Sequence, residues 1–334
     1  MTRSTTDRIE PGAYAIPGDR ADAVVRANGR DVALTNLRKP FFPATGATKG
    51  DLLQYYADVA PFLVPYLEGR AEVMKRYPNG ADGEFFYMKR TPPNAPAWLK
   101  TCSIEHGSGS VIAFPIVDDL ASLLWVVNLG CIDLNEWYSR CDDTDRPDYL
   151  HFDLDPVKDG STPFATVRQV ALYVHEALDD LGIPAYAKTS GSSGIHVYVP
   201  IERGPRQKDV WTFAKAFAQM MERLHRDVIT AEYRIAKRPP GRVLVDYNQN
   251  AWGKTLASVY SVRAKPRATV STPVTWDEIA SGIEIEDFRL DNVRERLVAV
   301  GDLWAPLKKK TGRVALERFL TAPAAKARKR KALA

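Results

Sequence analysis

The chain has 334 residues, 45% of them hydrophobic, which is enough to form a sizeable core in one large domain or two smaller ones. It has no apolar run that could span a bilayer and no apolar signal segment, so we expect a cytoplasmic protein without membrane contacts. Its three cysteines lack a CxxC spacing, so neither a disulfide framework nor a cysteine zinc site is expected. The net charge of +5 is uneven: residues 305–334 hold ten Lys or Arg and one acidic residue (+9), which leaves 36 against 40 (−4) elsewhere.

The first part of the chain predicts an extension followed by alternating strands and helices. Residues 1–30 are polar and mixed and read as an N-terminal extension. A strand is expected at 32–36. The segment at 45–53 is expected to supply a turn and an N-cap for a helix from Asp51 to about residue 67. Residues 120–134 are strongly apolar and indicate either a helix or a helix followed by a strand.

Basic and aromatic residues interleave most densely between residues 73 and 90. Lys75 lies in one expected strand, and Phe85 and Phe86 begin the next. Aromatic rings that project from a sheet can stack on bases while neighbouring cations hold phosphates. Two adjacent Phe residues cannot both face one core, so one of them is expected at an edge or in solvent. A strand buried on both faces would carry the same residues, and the pattern leaves both possibilities open.

Two aspartates share one face of a predicted strand at residues 149–156. Leu150, Phe152 and Leu154 alternate with polar residues, which is typical of a half-buried strand, and Pro156 ends it. Asp153 and Asp155 therefore project the same way, about 7 Å apart at the backbone. Two such carboxylates repel each other unless a cation lies between them. The pattern predicts a divalent-metal site, although a polar strand end would look similar.

Two later segments add to this candidate site. The turn Ser190-Gly191-Ser-Ser-Gly194 can present backbone N–H groups to an anion, and His196 follows at the start of a strand. Asp246 ends another apolar strand, as Asp153 does. Three strand-borne aspartates beside a phosphate-binding turn predict a two-metal site with hard oxygen ligands, suited to Mg²⁺ or Mn²⁺.

Other catalytic and metal motifs are missing from the sequence. The turn at 190–194 lacks the Gly-Lys-Ser/Thr ending of a Walker A loop, and no EF-hand spacing follows Asp153. There is no HExxH pair and no G-x-S-x-G elbow. The remaining histidines are expected to be packed or at the surface: His106, His151, His175 and His225.

Taken together, the motifs resemble the polymerase domain of bacterial DNA ligase D, within the archaeo-eukaryotic primase superfamily. The resemblance runs from about Val32 to Phe319 and rests on six segments in fixed order: Leu34-Thr-Asn…Lys39…Pro43-Ala-Thr-Gly…Thr48-Lys49, Lys75-Arg76-Tyr-Pro-Asn-Gly80, Phe85-Phe86, Phe152-Asp-Leu-Asp-Pro156, Thr189-Ser-Gly…Gly194-Ile-His196, and Val245-Asp246…Gln249-Asn250.

This resemblance implies an α+β fold, in which an RNA-recognition-like antiparallel-sheet palm packs with an N-terminal α/β module. Combined with the polar start and the basic end of the sequence, it divides the chain into an extension (1–30), a primase-polymerase catalytic domain (31–304) and a basic tail (305–334). Since no ligase or nuclease segment follows, a stand-alone enzyme is expected. The implied activity is template-dependent addition of NTPs or dNTPs to a DNA or RNA 3′-hydroxyl with two Mn²⁺ or Mg²⁺ ions, at gaps or broken ends or in priming.

The same resemblance assigns residues by position. The implied catalytic metal ligands are Asp153, Asp155 and Asp246. The implied nucleotide contacts are Lys75, Ser190, Gly191, His196, Gln249 and Arg263. Lys39 and Lys49 would hold a DNA 5′-phosphate, and Phe85 and Phe86 would stack on the template. Implied partners are gapped or broken DNA in the bacterial nucleoid, a Ku-like end-binding protein and a DNA ligase.

Two positions depart from the family pattern. Many relatives have His where this chain has Asn135, and Lys where it has Ser193. Both are expected near the triphosphate, so nucleotide binding should be weaker unless Lys254 or Arg238 compensates. These departures favour an alternative, a non-catalytic DNA-end and 5′-phosphate-binding module. A two-metal phosphodiesterase is a third possibility, but it does not account for Lys39 and Lys49.

Overall fold

The computed structural model describes residues 14–158 and 160–320. The first thirteen residues of the expected extension and tail residues 321–334 therefore lie outside the described residues. Within the described part, no helix combines the length and apolarity needed to cross a membrane.

The N-terminal module begins with two small hairpins and a long helix. Strands β1 (Ala23–Ala27) and β2 (Arg30–Leu34) pair, so residues 23–30 belong to a folded hairpin and not to the extension. Strands β3 (Pro40–Phe42) and β4 (Ala47–Thr48) lead into helix α1 (Lys49–Leu67). The N-cap expected in this segment is Thr48, because its side chain accepts the N–H of Asp51, and the helix begins at Lys49 instead of Asp51.

The rest of the module is a small antiparallel sheet, a hairpin and one helix. Its elements in chain order are β5 (Glu72–Arg76), β6 (Phe86–Met88), β7 (Thr101–Glu105), β8 (Val111–Pro115), α2 (Leu120–Asn128) and β9 (Cys131–Glu136). Strand β5 lies between β6 and β9, and β7 pairs with β8. The apolar stretch at 120–134 is thus a helix followed by a strand. One sequence-based expectation is wrong: Cys102 and Cys141 form a disulfide, which sequence spacing gave no reason to expect.

The second part of the chain forms the palm and its covering helices. Its elements in chain order are β10 (Tyr149–Pro156), α3 (Phe164–Asp180), β11 (Tyr186–Thr189), β12 (Ile195–Pro200), α4 (Gln207–Leu224), β13 (Ile229–Thr230), β14 (Val243–Asp246), β15 (Pro273–Val274), α5 (Trp276–Ser281), α6 (Val293–Val300), α7 (Ala305–Lys308) and α8 (Glu317–Leu320), with short 3₁₀ turns at Ile235–Lys237, Asn248–Asn250 and Ile285–Asp287.

One sheet organises this palm. Its strand order is β13-β14-β10-β12-β11-β15, and all neighbours are antiparallel except β13 and β14. The centre of the sheet is therefore β10, the strand that carries Asp153 and Asp155. This arrangement confirms the expected α+β class with a largely antiparallel palm.

Strand β10 is buried on both faces, whereas its alternating sequence predicted a half-buried strand. On one face Phe152 packs against Phe217 of α4, with ring centroids 4.8 Å apart. On the other face His151 packs against Tyr138, which follows β9 of the N-terminal module. Because that module covers the polar face, Asp153 is only 6% exposed.

The expected basic tail is folded over its first sixteen residues. Leu307 and Leu316 are buried, and Arg313 donates to the carbonyls of Asp148 and Ile201 at 2.9 and 3.1 Å. These contacts tie residues 305–320 to the end of the β10–β12 pair at which β10 begins and β12 ends. The folded domain therefore continues to Leu320, beyond the boundary that the charge pattern gave.

Candidate active site

The sheet brings three polar side chains of different strands to one face. Asp153 of β10 is directly opposite Asp246 of β14 and, on its other side, opposite His196 of β12. Asp155 lies two residues along β10, on the same face. Directly opposed residues of an antiparallel pair have Cβ atoms about 4.5–5.5 Å apart. The pairing therefore groups the three aspartates of the predicted site with His196.

The electrostatics of this cluster show that the carboxylates crowd one another. Burial raises the pKa of Asp153 to about 6. The charge of Asp153, followed by burial, raises the pKa of Asp155 to about 7. Burial and then Asp153 raise the pKa of Asp246 as well. Nearby cations such as Arg263 and Lys158 lower the pKa of Asp153 and Asp155, but they do not offset burial and, for Asp155, the charge of Asp153.

The donor set fits a hard divalent cation. Oδ1 of Asp153 is buried without a hydrogen-bond partner, and Nε2 of His196 lies 3.3 Å from it. Carboxylate oxygens are the ligands that Mg²⁺ and Mn²⁺ prefer. Among residues 14–158 and 160–320, however, no group of three or more His, Cys, Asp or Glu side chains is arranged to hold a metal ion as it stands. The assignment of the three aspartates as metal ligands therefore stays a prediction.

The Gly/Ser turn adjoins this cluster through the β11–β12 connection. The Oγ atom of Ser190 accepts backbone N–H groups of Ser192, Ser193 and Gly194 at 3.1, 3.2 and 2.9 Å. The turn was expected to offer these N–H groups to an anion, but here they converge on the Ser190 hydroxyl. With its lone pairs engaged, this hydroxyl has its own O–H left to donate.

Two glycines of the turn are required by close backbone packing. Gly191 has φ +66°, and a Cβ there would lie 2.8 Å from the backbone nitrogen of Ser271. A Cβ on Gly194 would lie 2.4 Å from the carbonyl oxygen of Leu154 and 2.8 Å from Oδ1 of Asp155. The turn therefore lies directly against the aspartate strand, and only glycine at 194 permits that approach.

A buried aspartate that the sequence-based assignment missed holds two of the predicted nucleotide contacts. Asp133 of β9 is 1% exposed and lies 3.3 Å from Nζ of Lys75 and 3.4 Å from Nε of Arg263. Arg263 also donates to the carbonyl of Ser190. Asp133 thus links the N-terminal sheet, the β14–β15 segment and the Gly/Ser turn. The sequence signal was a lone acidic residue within the apolar strand Cys-Ile-Asp-Leu.

The other predicted nucleotide contact, the two positions that depart from the family pattern and the two cations that could compensate lie at different distances from the aspartates. Gln249 lies beside the aspartates, with its Nε2 3.3 Å from Oδ2 of Asp246. Ser193 points its hydroxyl at Oδ1 of Asp155, 3.5 Å away. Asn135 is half-buried and donates its side-chain N–H to the carbonyl of Asp133. Lys254 is at the surface, and Arg238 donates to the carbonyls of residues 232 and 233.

The two predicted stacking residues are both exposed. Phe85 and Phe86 keep 49% and 45% of their surface open to solvent, so neither is used in a core. Nζ of Lys75 lies 4.1 Å from the ring centroid of Phe85, and the guanidinium of Arg76 lies 5.1 Å from that of Phe86. Each ring therefore carries a cation on its face, as a surface that binds nucleic acid requires.

The two predicted phosphate-binding lysines lie close together but differ in burial. Lys39 is half-buried and donates to the carbonyl of Pro78. Lys49 is 4% exposed and donates to the carbonyl of Thr35 and Oδ1 of Asn128 at 2.7 and 2.8 Å. Burial, followed by the charge of Lys39, lowers the pKa of Lys49 to about 8. An ammonium has three N–H donors, so Lys49 keeps one for a ligand.

The palm with its aspartates, turn and flanking cations has the layout of a primase-polymerase. Comparison with known proteins agrees: the family model for the LigD primase-polymerase domain matches residues 48–304. The chain belongs to this family, which confirms the resemblance seen in the sequence and the archaeo-eukaryotic primase fold.

Individual relatives show the extent of the likeness. The chain is 36% identical over 278 residues to the multifunctional non-homologous end joining protein LigD of Mycolicibacterium smegmatis, a match that covers 83% of this chain and 36% of that protein. It is 31% identical over 268 residues to the bifunctional LigD of Bacillus subtilis, with coverage of 80% and 42%. It thus spans less than half the length of these relatives.

A solved structure covers the same region almost completely. The polymerase domain of Mycobacterium tuberculosis ligase D, determined in complex with DNA, matches with a TM-score of 0.77 and 31% identity. The match covers 83% of this chain and 98% of that one.

Proposed function

We propose that this protein is a DNA-directed nucleotidyltransferase that adds NTPs or dNTPs to a 3′-hydroxyl at gaps or broken DNA ends during end joining. The observation that carries the proposal is the direct pairing of Asp153 with Asp246, with Asp155 on the same face. A nucleotidyl transfer site needs carboxylates gathered at one point, and the central strands of the palm gather three.

The three aspartates would hold two Mn²⁺ or Mg²⁺ ions. Bound there, such ions lower the pKa of an attacking 3′-hydroxyl and neutralise a leaving pyrophosphate. The buried, unpartnered Oδ1 of Asp153 supports this role, because a carboxylate oxygen without a donor is costly unless a cation satisfies it.

The chain's own cations and donors would position the triphosphate. Lys75 and Arg263 meet at Asp133, which orders both side chains and partly offsets their charge. The hydroxyl of Ser190 has one O–H to donate beside them. We expect these three groups to bind the phosphates, while His196 and Gln249 border the aspartates from β12 and from the turn after β14.

The DNA would lie across the N-terminal module. Phe85 and Phe86 are exposed and adjacent to Lys75 and Arg76, which suits stacking against an unpaired template base. Lys39 and the free N–H of Lys49 form a cationic point for a 5′-phosphate on the downstream strand. A DNA-end-binding partner and a DNA ligase belong to the same proposal, through the end-joining role that the relatives' names state.

An alternative is a module that binds DNA ends without catalysis. Asn135 and Ser193 support it, because Ser193 places a hydroxyl beside Asp155 where many relatives have a cation. The presence of all three aspartates argues against it, since a binding module has no need to keep three carboxylates that destabilise one another.

A gapped duplex with a 5′-phosphate separates these functions. The duplex is incubated with the purified protein, NTPs or dNTPs and Mn²⁺ or Mg²⁺. We expect its 3′-hydroxyl end at the gap to be extended by template-matched nucleotides. Asp155→Asn should abolish extension and leave 5′-phosphate-dependent binding intact. Binding without extension by the wild type would establish the non-catalytic module, and shortening of the strand would indicate a phosphodiesterase.

A further inference from the structure

A lysine that neither the sequence motifs nor the proposed mechanism uses lies behind the active-site histidine. Lys188 is fully buried on β11, which lies between β12 and the edge strand β15 of the palm sheet. Its Nζ atom lies 2.8 Å from Nδ1 of His196, 2.8 Å from the carbonyl oxygen of Ala257 and 2.6 Å from Oγ of Ser271. A buried ammonium is costly unless each of its protons is satisfied, and here three acceptors surround it.

The hydrogen-bond directions around Lys188 depend on its protonation, because burial lowers the pKa of Lys188 to about 7. When Lys188 is an ammonium, the neighbouring groups fix the direction of all three hydrogen bonds. The carbonyl of Ala257 can only accept. The hydroxyl of Ser271 donates its proton to the carbonyl of Thr189 at 2.8 Å, so it accepts from Lys188. The third N–H of the ammonium then points at Nδ1 of His196, which must be an unprotonated acceptor, because two donors cannot face each other at 2.8 Å.

This direction decides which nitrogen of the histidine carries its proton. With Nδ1 as acceptor, the ring proton of His196 is on Nε2, the atom that lies 3.3 Å from Oδ1 of Asp153. The histidine therefore presents a donor, and not a lone pair, to the face that carries the aspartates. The pairing of Lys188 with His196 across β11 and β12 holds this geometry in the sheet itself.

We propose that Lys188 is a positioning residue, which sets the tautomer and ring orientation of His196 so that Nε2–H faces the aspartate cluster. The consequence for nucleotide addition rests on the proposed function, whereas the tautomer itself does not. Lys188 touches neither the reacting groups nor the solvent. It acts only through the ring in front of it.

Nitrogen NMR of histidine-labelled protein tests the tautomer directly. The His196 signals are assigned by their loss in His196→Gln. In the wild type we expect Nδ1 to be unprotonated and Nε2 protonated; a proton on Nδ1 would overturn the proposal without any variant at Lys188. In Lys188→Met the preference for the Nε2–H form should be lost. Lys49→Met removes another buried lysine, outside the palm, and should leave the His196 signals unchanged.

Kinetics of nucleotide addition provide the second test. Lys188→Met should lower kcat/KM by about 10–100-fold, the range typical of groups that orient a working side chain. In the His196→Gln background the same change should have little further effect, because the ring it orients is absent. Additive losses in the double variant would mean that Lys188 acts independently of His196, and the proposal would fail.

The two tests also separate this proposal from the proposed function. If the protein extends no primer but the wild-type His196 is in the Nε2–H form and loses it in Lys188→Met, the function fails and the positioning role stands. If the protein extends primers and Lys188→Met leaves the tautomer unchanged, only the positioning role is overturned.

Discussion

Asp153 and Asp246 face each other as directly paired residues of neighbouring antiparallel strands, although two helices and three strands separate them along the chain. A sheet normally places opposite charges or apolar groups at such a pair, since like charges there destabilise it. The arrangement therefore stores repulsion at the centre of the palm. A cation that binds between the aspartates would relieve it.

This repulsion predicts that Asp155→Asn stabilises the metal-free protein at neutral pH. The folded state raises the pKa of Asp155 from 3.8 to about 7, so between these values it binds more protons than the unfolded chain. Stability contributed at this site is then present below pH 4 and is lost as pH rises toward 7. We expect Asp155→Asn to gain about 1–3 kcal/mol at pH 7.5 and almost nothing at pH 4, as measured by urea unfolding with EDTA.

Adding Mn²⁺ should make the wild type more stable than Asp155→Asn, the reverse of their order in EDTA. The cation stabilises a folded state that binds it, so the wild type should gain stability on titration with Mn²⁺ and Asp155→Asn should gain much less.

Asp148→Asn is the matched control for the repulsion argument in the metal-free protein, and its effect on stability should have the opposite sign. Burial alone would raise the pKa of Asp148, but the neighbouring Arg70 and Arg140 lower it below its usual value. Its loss should destabilise the protein, and equal gains in both variants would refute the repulsion argument.

Gly194→Ala should disable the site through one methyl group. The added Cβ would lie 2.4 Å from the Leu154 carbonyl oxygen, and backbone cannot give way there without shifting the aspartate strand or the turn. We expect at least a hundredfold loss of primer extension, about 3 kcal/mol in barrier height, with near-native circular dichroism. Gly107→Ala, where a Cβ meets nothing within 4 Å, should extend primers normally. Wild-type extension by the Gly194 variant would show that the turn does not need its close approach.

The sequence predicted the strand that carries Asp153 and Asp155, and the turn beside it, because strand alternation and turn chemistry are local. The 149–156 strand and the Thr48 cap follow from neighbouring residues alone, and the structure has both. Asp133 and Lys188 escaped notice for the opposite reason. Each is a single charged residue in an apolar strand, and its role depends on partners far away in sequence, such as Arg263 for Asp133.

Burial was the other quantity that local patterns could not supply. The polar residues of β10 predicted one solvent-facing side, but the N-terminal module covers them, as the contact of His151 with Tyr138 shows. The charge pattern placed the end of the domain at residue 304 for a similar reason, because it does not show which cations are used inside the fold. Arg313 adds to the positive total of the tail, yet it donates to four backbone carbonyls in the folded structure.

Phe85→Ala and Phe86→Ala should each weaken binding of single-stranded template. Both rings are exposed and lie over cations, and base–aromatic stacking contributes about 1–3 kcal/mol per base. Fluorescence anisotropy with a gapped duplex that has an unpaired template segment should show Kd raised by about five- to a hundredfold. The Kd for fully paired DNA should change little. Val24→Ala, which truncates an even more exposed apolar side chain on β1, is the control. Equal losses on both DNAs would indicate general electrostatic binding instead of stacking.

The 5′-phosphate preference should depend on pH through Lys49. Its pKa is lowered to about 8 by burial and by the charge of Lys39, so it loses its proton between pH 7 and 9, where a terminal phosphate is already doubly charged. The affinity ratio of 5′-phosphate over 5′-hydroxyl duplex should therefore fall across this range in the wild type. Lys39→Ala removes one of the two positive charges, so the affinity ratio should be smaller at pH 7. It also favours protonated Lys49, so the midpoint of the fall in this ratio should move to higher pH.

Lys49→Met should show an affinity ratio that does not depend on pH. It should also lower the stability by about 1–3 kcal/mol, because the Thr35 carbonyl and Asn128 lose their donor. A midpoint that does not move in Lys39→Ala would mean that Lys49 does not titrate against the phosphate.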